Sequence, residues 1–318
     1  MNSLAVAVVM DPIAEINPKK DTTLALMLAA QRRGHQLHYL ELDDLSLRDG
    51  IAFGNGQSVT VYDDLDHWFD FGSAKSERPL GEFDVILMRK DPPFDMEFVF
   101  TTYLLELAEQ QGAKVVNRPR GIRDANEKLF TAWFPELCPP TLVTRRYEQL
   151  RAFLSEHNDI VVKPLDGMGG ASVFRVRCED DNVGVIFETL TALQTRYCMA
   201  QRYLPEIRDG DKRVLMIDGE PVEYVLARIP PAGELRGNLA AGGTGEPRPI
   251  SAVDRAICEK VGPQLRQRGL TFVGLDVIGS SLTEINVTSP TCVREIEARF
   301  DIDIGERLFE AIERQLAV

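Results

Sequence analysis

The stretch Phe272-Val-Gly-Leu-Asp-Val-Ile-Gly-Ser-Ser-Leu-Thr-Glu-Ile-Asn-Val-Thr-Ser-Pro290 reads as two short strands joined by the turn Gly279-Ser280-Ser281. Counting back from that turn sets Asp276 across from Glu284 on one face, with Asn286 two residues further along it. Like charges directly opposite each other destabilise a bare sheet. A divalent cation would turn that repulsion into a binding site, because Asp, Glu and Asn offer the hard oxygen donors that Mg²⁺ takes. The alternative is a solvated hairpin face whose acidic neighbours bind nothing. The hairpin alone does not separate the two.

Upstream, Ile160-Val-Val-Lys-Pro-Leu-Asp-Gly-Met-Gly-Gly-Ala-Ser-Val-Phe174 is a strand, a glycine-rich loop and a second strand. Gly167, Gly169 and Gly170 let backbone amides come close to a phosphate chain. The lysine precedes the loop and no helix follows, so this is not a Walker A loop. It is closer in logic to a glycine-rich flap over nucleotide phosphates, with Lys163 aimed at them. A hairpin turn that needs glycine is the alternative. Residues 230–249 form a long Gly/Pro-rich loop containing Arg236 and Asn238, and such loops either close over a site or are disordered. Arg213 and Arg228 lie on strands before it. Any one of these arginines reads as a surface ion pair. Together with the flap and the hairpin they suggest a closing clamp for phosphate and carboxylate.

The first third of the chain alternates strand and helix patterns. Residues 4–10 read as a strand, and Asp21 or Thr22 caps a helix running to Arg33 and stopping at Gly34. Strands follow at 36–42 and 83–88, then a helix from Asp95 to about Gln111-Gly112 and a strand at 114–117. That order predicts a doubly wound parallel sheet, whose ligands gather at the carboxyl ends of its strands. Asp11 and Arg89-Lys90-Asp91 occupy such ends. No Gly-x-Gly-x-x-Gly follows the first strand, which argues against a dinucleotide site. Asn117-Arg-Pro-Arg-Gly121 reads as a boundary, followed by a helix at 126–134 that carries Lys128. Pro139-Pro140 breaks the chain before a strand at 141–144 and a helix at 147–157. From 160 onwards short strands predominate, at 160–163, 172–176, 199–203, 213–217 and 222–229, until a closing amphipathic helix at 305–316.

With 318 residues, 44% hydrophobic and 27% charged, the chain has the composition of a folded globular protein with more than one domain. A net charge of -13 without a basic block argues against a nucleic-acid partner. Any anionic substrate must be held by a local cluster of cations. Five cysteines lack a Cys-x-x-Cys pair, which fits reduced thiols in a cytosolic protein. Met1–Met10 is apolar but has no basic leader and ends at Asp11-Pro12, so it reads as a buried first strand rather than a signal peptide. No apolar run approaches membrane-spanning length. The four histidines follow no ligand spacing.

Lys163-Pro-Leu-Asp-Gly-Met-Gly-Gly170, Gly237-Asn-Leu-Ala-Ala-Gly-Gly243 and Asp276 with Glu284-Ile-Asn286 resemble the ATP-grasp ligases. Val9-Met-Asp-Pro-Ile13, Met88-Arg-Lys-Asp-Pro-Pro93, Asn126-Glu-Lys-Leu-Phe130 and Asn286-Val-Thr-Ser-Pro290 narrow the resemblance to the prokaryotic glutathione synthetase family, over nearly the whole chain. One departure is Thr244, where many relatives would carry arginine. The resemblance implies an α/β fold: an N-terminal doubly wound parallel-sheet (pre-ATP-grasp) domain at 1–122, then an ATP-grasp fold of two α+β subdomains. These would be 123–204, with the flap, and 205–318, with the metal site and a lid at about 229–249.

It also implies ATP-dependent ligation of γ-glutamylcysteine to glycine through an acyl phosphate, giving glutathione, ADP and phosphate. Asp276, Glu284 and Asn286 would hold Mg²⁺, with Mn²⁺ as a substitute. Lys128, Lys163 and the glycines of the flap would bind the phosphates of the co-substrate ATP, Gln201, Tyr203 and Leu204 its adenine, and Asp211 its ribose. Arg213, Arg228 and Asn238 would neutralise the acyl phosphate and its tetrahedral successor. Asp11, Arg89, Arg236, Ser289, Arg294 and Glu295 would lie near the peptide and glycine. Family analogy further implies a cytoplasmic homo-oligomer, a dimer or tetramer, with small-molecule substrates and no nucleic-acid or membrane partner. Competing expectations are an ATP-grasp ligase for other amino acids, such as a D-alanine–D-alanine ligase, and a nucleotide-binding interaction protein without turnover.

Overall fold

The computed structural model describes residues 3–72 and 74–317; Met1 and Asn2, the start of the apolar lead, lie outside them. The described residues build three sheets. The first grows from β1 (Ala5–Val9), α1 (Thr22–Arg32), β2 (Gln36–Leu40), β3 (Leu45–Arg48), β4 (Ile51–Val61), β5 (Phe69–Phe71), β6 (Ser76–Pro79), β7 (Val85–Met88), α2 (Met96–Gln110) and β8 (Lys114–Val116). Its strand order is β3-β4-β2-β1-β7-β8, and β2, β1, β7 and β8 run parallel. Val6 and Val8 pack into the core shared with α1, whereas Ala7 and Val9 pack with α2 on the opposite face. Apolar residues at consecutive positions are what a strand covered on both faces requires. The side chain of Asp21 accepts a hydrogen bond from the Leu24 amide and that of Asp95 from Phe98, so both helices start where the sequence places them.

Residues 45–79 add antiparallel strands that the sequence pattern does not announce, with β4 pairing antiparallel to β2 and carrying β3, β5 and β6. The signal is weak because β4 contains Gly54 and Gly56. A Cβ at those positions would meet Leu40 Cδ2 at 2.6 Å and the Tyr39 carbonyl at 2.8 Å, so close packing excludes the β-branched residues that mark a strand.

After α3 (Pro119–Arg123), the helix expected over 126–134 is instead a 3₁₀ turn at Leu129–Trp133. The Asn126 side-chain oxygen accepts from the Lys128 and Leu129 amides and tightens the chain there. The second sheet contains β9 (Thr141–Thr144), β10 (Asp159–Pro164), β11 (Phe174–Arg177) and β12 (Cys198–Arg202), ordered β11-β10-β12-β9. It packs on α4 (Tyr147–His157) and α5 (Val183–Thr191). The latter helix is absent from the sequence-based expectation because Val-Gly-Val-Ile-Phe has strand composition. Val183, Phe187 and Leu190 nevertheless bury one helical face against Leu150 and Leu154.

The third sheet is antiparallel: β13 (Asp211–Ile217), β14 (Glu220–Ile229), β15 (Thr244–Pro249), β16 (Phe272–Ile278) and β17 (Ser281–Asn286), ordered β15-β14-β13-β16-β17. Strand β15 takes up the end of the expected lid, which leaves residues 230–243 as the loop proper. Thr244 opens β15 with an exposed side chain. Helix α6 (Ala252–Gln267), also not expected, begins at a capping box formed by Ser251 and Asp254 and covers this sheet with Ile257, Val261 and Leu265. α7 (Val293–Glu297) and α8 (Ile304–Leu316) complete the chain. Leu308, Phe309 and Ile312 of α8 bury against the α1 side of the first sheet, beside Leu26 and Ala29.

Polar contacts pin that last helix. Arg33 donates to Glu313 at 2.5 and 2.8 Å and also to Glu306, and His35 Nε2 lies 3.0 Å from Glu313. The Arg33 hydrogen bonds hold the Glu313 carboxyl below its ordinary range. A depressed carboxylate contributes stability above its unfolded pKa of about 4.3 and loses it as pH falls through the folded value. Glu313→Gln should therefore lower Tm at neutral pH and shrink the further loss on acidification, as read by thermal unfolding between about pH 7 and pH 3. An unchanged acid slope would show that the pair contributes nothing.

Candidate active site

Strands β16 and β17 meet through the two-residue turn Gly279-Ser280, with Ile278 paired to Ser281, not through the three-residue turn read from the sequence. A regular ladder from that turn would put Thr283 opposite Asp276. A bulge after Asp276 instead inserts Thr283, whose hydroxyl donates to the Asp276 carbonyl at 3.0 Å, and brings Glu284 into register with Asp276. The expected facing pair is present, but a bulge makes it.

The two carboxylates do not face each other uncompensated, as the sequence had suggested. Arg213, opposite Asp276 on β13, places Nε 2.6 Å and Nη2 3.1 Å from it, and Arg228 Nη2 lies 3.0 Å away. Burial opposes ionisation of Asp276, yet these guanidiniums outweigh it and hold the carboxyl well below the usual range. Glu284 has Lys163 at 3.2 Å and Lys128 at 3.7 Å, and they likewise overcome burial and lower its pKa. Asp211 differs. Burial pushes its carboxyl up to about 7 although Arg228 lies 2.5 Å from Oδ2. Its Oδ1 is buried without a hydrogen-bond partner.

Asn286 Nδ2 donates to Asp276 Oδ2 at 3.2 Å and to the Gly274 carbonyl at 3.3 Å. Its amide oxygen accepts no hydrogen bond among the described residues. Among those residues no group of three His, Cys, Asp or Glu side chains is placed to hold a metal. The trio here depends on an amide. Two carboxylates and an amide oxygen are all hard donors, so the residues present fit a hard divalent cation and do not suit a thiolate- or imidazole-seeking one.

A cleft opens between the second and third sheets. Lys128, Lys163 and Glu284 line it, together with Gly167, Gly169 and Gly170 of the flap. Lys128 Nζ donates to the Gly167 carbonyl at 2.6 Å, and Asn126 Nδ2 to Leu165 at 2.9 Å, which tethers the root of the flap. Gly170 sits at φ +79°, and a Cβ there would meet Asn238 Oδ1 at 2.7 Å, so the flap touches the lid at a position only glycine suits. Gln201, Tyr203 and Leu204 line the other end, where the Arg175 guanidinium stacks 3.6 Å from the Tyr203 ring centroid. Asp211, Arg236 and Asn238 line the same cleft.

A second cavity lies at the carboxyl ends of β1 and β7. It gathers Asp11, Arg89, Ser289 and Glu295, as expected, and adds Lys20, Asp21 and Thr291. Arg89 is 5% exposed, donates to Thr23 Oγ1 at 3.1 Å and to the Pro290 carbonyl at 3.0 Å, and leaves Nη1 buried without a partner. No carboxylate lies within ion-pair distance of it among the described residues, its neighbour Asp91 included. Glu295 Oε2 is likewise buried and unpartnered, and burial raises its pKa. Such orphaned groups call for a ligand. Asp11 pairs with Lys90 at 2.6 Å, and Ser289 Oγ donates to the Arg89 carbonyl at 3.2 Å. Arg294 does not line this cavity and instead pairs with Asp63 at 2.8 Å; Arg236 faces the first cleft, 3.3 Å from Glu234. Asp21 carries no local signal of this position, because capping α1 already accounts for its carboxylate in the sequence. Cys292 is buried and its thiol pKa is raised by that burial, which suits a packed thiol and not a nucleophile.

Arg213 and Arg228 line neither cavity; Arg228 pairs with Asp211, which lines the first, and Arg213 packs near Pro290, whose chain neighbours Ser289 and Thr291 line the second. A Cβ on Gly274 would meet Arg213 Cδ at 2.8 Å and Pro290 Cβ at 3.2 Å. Gly274→Ala should displace the Arg213 guanidinium and cost about 1–3 kcal/mol of stability by overpacking. Turnover should fall roughly tenfold or more while the KM for nucleotide stays near the parent value. Unchanged turnover would mean that Arg213 adjusts without consequence.

Residues 4–123 match the family model described as prokaryotic glutathione synthetase, N-terminal domain, and residues 127–301 that of its ATP-grasp domain. A glutathione synthetase of Salmonella typhimurium is 61% identical over 314 residues, covering 99% of each chain. One of Escherichia coli strain K12 is 59% identical over 313 residues, covering 98% of this chain and 99% of the relative. Among solved structures, the D-cycloserine synthetase DcsG superposes with a TM-score of 0.70 at 14% identity, over 98% of this chain and all of that one (100%). The ATP-grasp ligase PsnB, complexed with precursor peptide PsnA2 and AMPPNP, gives 0.63 at 19% identity over 99% of each. At such identities the structures speak for the fold alone.

Proposed function

The chain belongs to the prokaryotic glutathione synthetase family, and from that premise we propose how its two cavities join γ-glutamylcysteine to glycine with conversion of ATP to ADP and phosphate. The protein is an ATP-dependent ligase, and the first cleft takes the nucleotide. Lys128 and Lys163 neutralise the phosphates under the flap, while Gln201, Tyr203 and Leu204 border the adenine. Asp211 offers its unpartnered Oδ1 to a ribose hydroxyl. The second cavity takes the peptide, with Arg89 Nη1 for a carboxylate and Glu295 Oε2 for an ammonium group. The observation that carries this reading is the second cavity, which holds the unpartnered buried Arg89 Nη1 and Glu295 Oε2 and shares the loop at 238–239 with a cleft lined by Lys128, Lys163 and the flap glycines.

A carboxylate attacking a phosphoryl group is an anion meeting an anion, so the protein's task is to neutralise and align. A carboxylate oxygen of the cysteinyl residue forms the new bond to the γ-phosphorus, and the bond to ADP breaks. The glycine amine then adds to the acyl carbon. Arg213, Arg228 and Asn238 face the oxyanion that develops, and phosphate departs as the peptide bond forms. Asp276, Glu284 and Asn286 would hold Mg²⁺ or Mn²⁺, which supplies charge neutralisation to the phosphate oxygens. We divide the chain into the units 1–122, 123–204 and 205–318, with residues 230–243 as the lid: Asn238 lines the nucleotide cleft and Leu239 the peptide cavity, so one loop can close over both. No helix among the described residues is long and apolar enough to cross a membrane. We place the enzyme in the cytoplasm, where its thiol substrate stays reduced, and as a homo-oligomer through the exposed apolar face of Met96, Phe100 and Tyr103 on α2.

ADP release tests the assignment, measured with ATP and Mg²⁺ while γ-glutamylcysteine and glycine are added singly and together. Sustained release should require the peptide and be fastest with both. No release with both present would overturn the reading, and release with paired D-alanine would point to a different acceptor.

A further inference from the structure

The boundary motif Asn117-Arg-Pro-Arg-Gly121 has no role in the chemistry described above, yet its first residue reaches the site. Asn117 follows β8 in the first sheet and is 3% exposed. Its Nδ2 donates to the carbonyls of Phe272 and Val287, each at 2.7 Å, and its Oδ1 accepts from the Phe272 amide at 2.7 Å. Phe272 is the first residue of β16 and Val287 directly follows Asn286, the last residue of β17. One side chain therefore bridges the open end of the hairpin that carries Asp276, Glu284 and Asn286, and ties both of its strands to the sheet that carries Arg89. Neighbouring contacts continue the seam, since the Arg118 amide donates to the Gly269 carbonyl at 3.0 Å and a Cβ on Gly121 would meet the Arg268 carbonyl at 2.5 Å.

We propose that Asn117 is a positioning residue: it sets the spacing of the hairpin's open end, and with it the placement of Asn286 relative to Asp276 and to the peptide cavity. This rests on the hairpin being the cation- and phosphate-binding end of the site. The physical reason is that a buried amide satisfied on both its donor hydrogens and its acceptor admits one geometry. The bulge at Thr283 makes the hairpin's register depend on more than its turn, so the open end needs its own constraint. Truncating the side chain frees three backbone groups and lets the strands separate by water insertion.

The test compares Asn117→Ala with Leu154→Ala, a core truncation in α4 that packs on the second sheet and not on the hairpin, at matched loss of Tm. Asn117→Ala should lower kcat by roughly ten- to a hundredfold, the scale of a small misplacement. It should also raise the Mg²⁺ concentration for half-maximal rate severalfold, with KM for ATP little moved. Without turnover, the rise in Tm given by Mg²⁺ plus a non-hydrolysable ATP analogue should shrink relative to the nucleotide analogue alone. Leu154→Ala should show none of these changes. Equal kcat and Mg²⁺ dependence in the two variants would overturn the positioning role. Glu284→Gln separates the premises: if that variant moves the Mg²⁺ dependence and Asn117→Ala does not, the positioning inference alone fails. If Glu284→Gln leaves it unmoved, the cation reading fails and takes the inference with it.

Discussion

Glu284→Gln should remove nearly all Mg²⁺-dependent ligation, by at least about a hundredfold in kcat, and leave the chain folded. The carboxylate is the meeting point of Lys163 at 3.2 Å and Lys128 at 3.7 Å, on a strand face shared with Asp276. An amide keeps the shape but surrenders the charge that a cation and two lysines recognise. The cost in stability stays modest because each lysine keeps another partner. Lys128 retains Glu127 and the Gly167 carbonyl, and Lys163 retains the Thr283 carbonyl at 3.4 Å. With the Glu284 side chain 22% exposed, about 1–2 kcal/mol is the expected loss. Initial rates across a Mg²⁺ titration, alongside thermal unfolding, check both halves. Near-parental activity at limiting Mg²⁺ would remove Glu284 from the cation site.

Arg228→Ala should be more damaging still, because it combines a catalytic and a structural loss. Arg228 is 3% exposed and joins Asp211 at 2.5 Å to Asp276 at 3.0 Å. Its removal deletes a cation facing the developing oxyanion, for which a loss of about 10²–10³ in kcat is typical. It also leaves two buried carboxylates to share Arg213, and breaking one side of a buried pair costs about 3–5 kcal/mol. The sign of the pH effect follows from Asp211. Burial already raises its carboxyl to about 7 against the pull of Arg228, and losing that pull raises it further. A raised acid is favoured when protonated, so stability falls as pH rises through the folded value. The variant's Tm deficit should therefore narrow as pH drops from about 8 to about 6. Arg228→Lys, which keeps a charge but cannot span both carboxylates, should fall between parent and alanine variant. A deficit independent of pH would mean that Asp211 stays ionised.

The legible parts of this fold were those where local chemistry and tertiary demand agree. The caps at Asp21 and Asp95 and the buried runs of β1 and β7 emerged where periodicity and capping placed them. Illegible parts were those where packing overrode composition. β4 hides behind Gly54 and Gly56, α5 is written in strand-forming residues, and the expected helix at 126–134 gives way to Asn126 capping its own turn. In the site, the flap glycines and their lysine were visible because the lysine, loop and strand are contiguous. Lys20, Asp21 and Thr291 were not, since only folding brings residues from both ends of the chain to one cavity.

Sequence alone determined the family: the flap, lid and hairpin motifs resemble the ATP-grasp ligases, and the motifs at 9–13, 88–93, 126–130 and 286–290 narrow that resemblance. Those motifs are local, and each residue type follows from what it must touch. Only the tertiary structure decided which charge answers which. Asp276 is neutralised by Arg213 and Arg228 from two adjoining strands, Glu284 by lysines from a turn and a different sheet, and Arg89 is left without a carboxylate among the described residues. Electrostatic energy depends on distance and burial, and neither is written in sequence spacing. The hairpin shows the limit most plainly: its facing carboxylates could be counted from the sequence, but the bulge that pairs them appears only in the folded sheet.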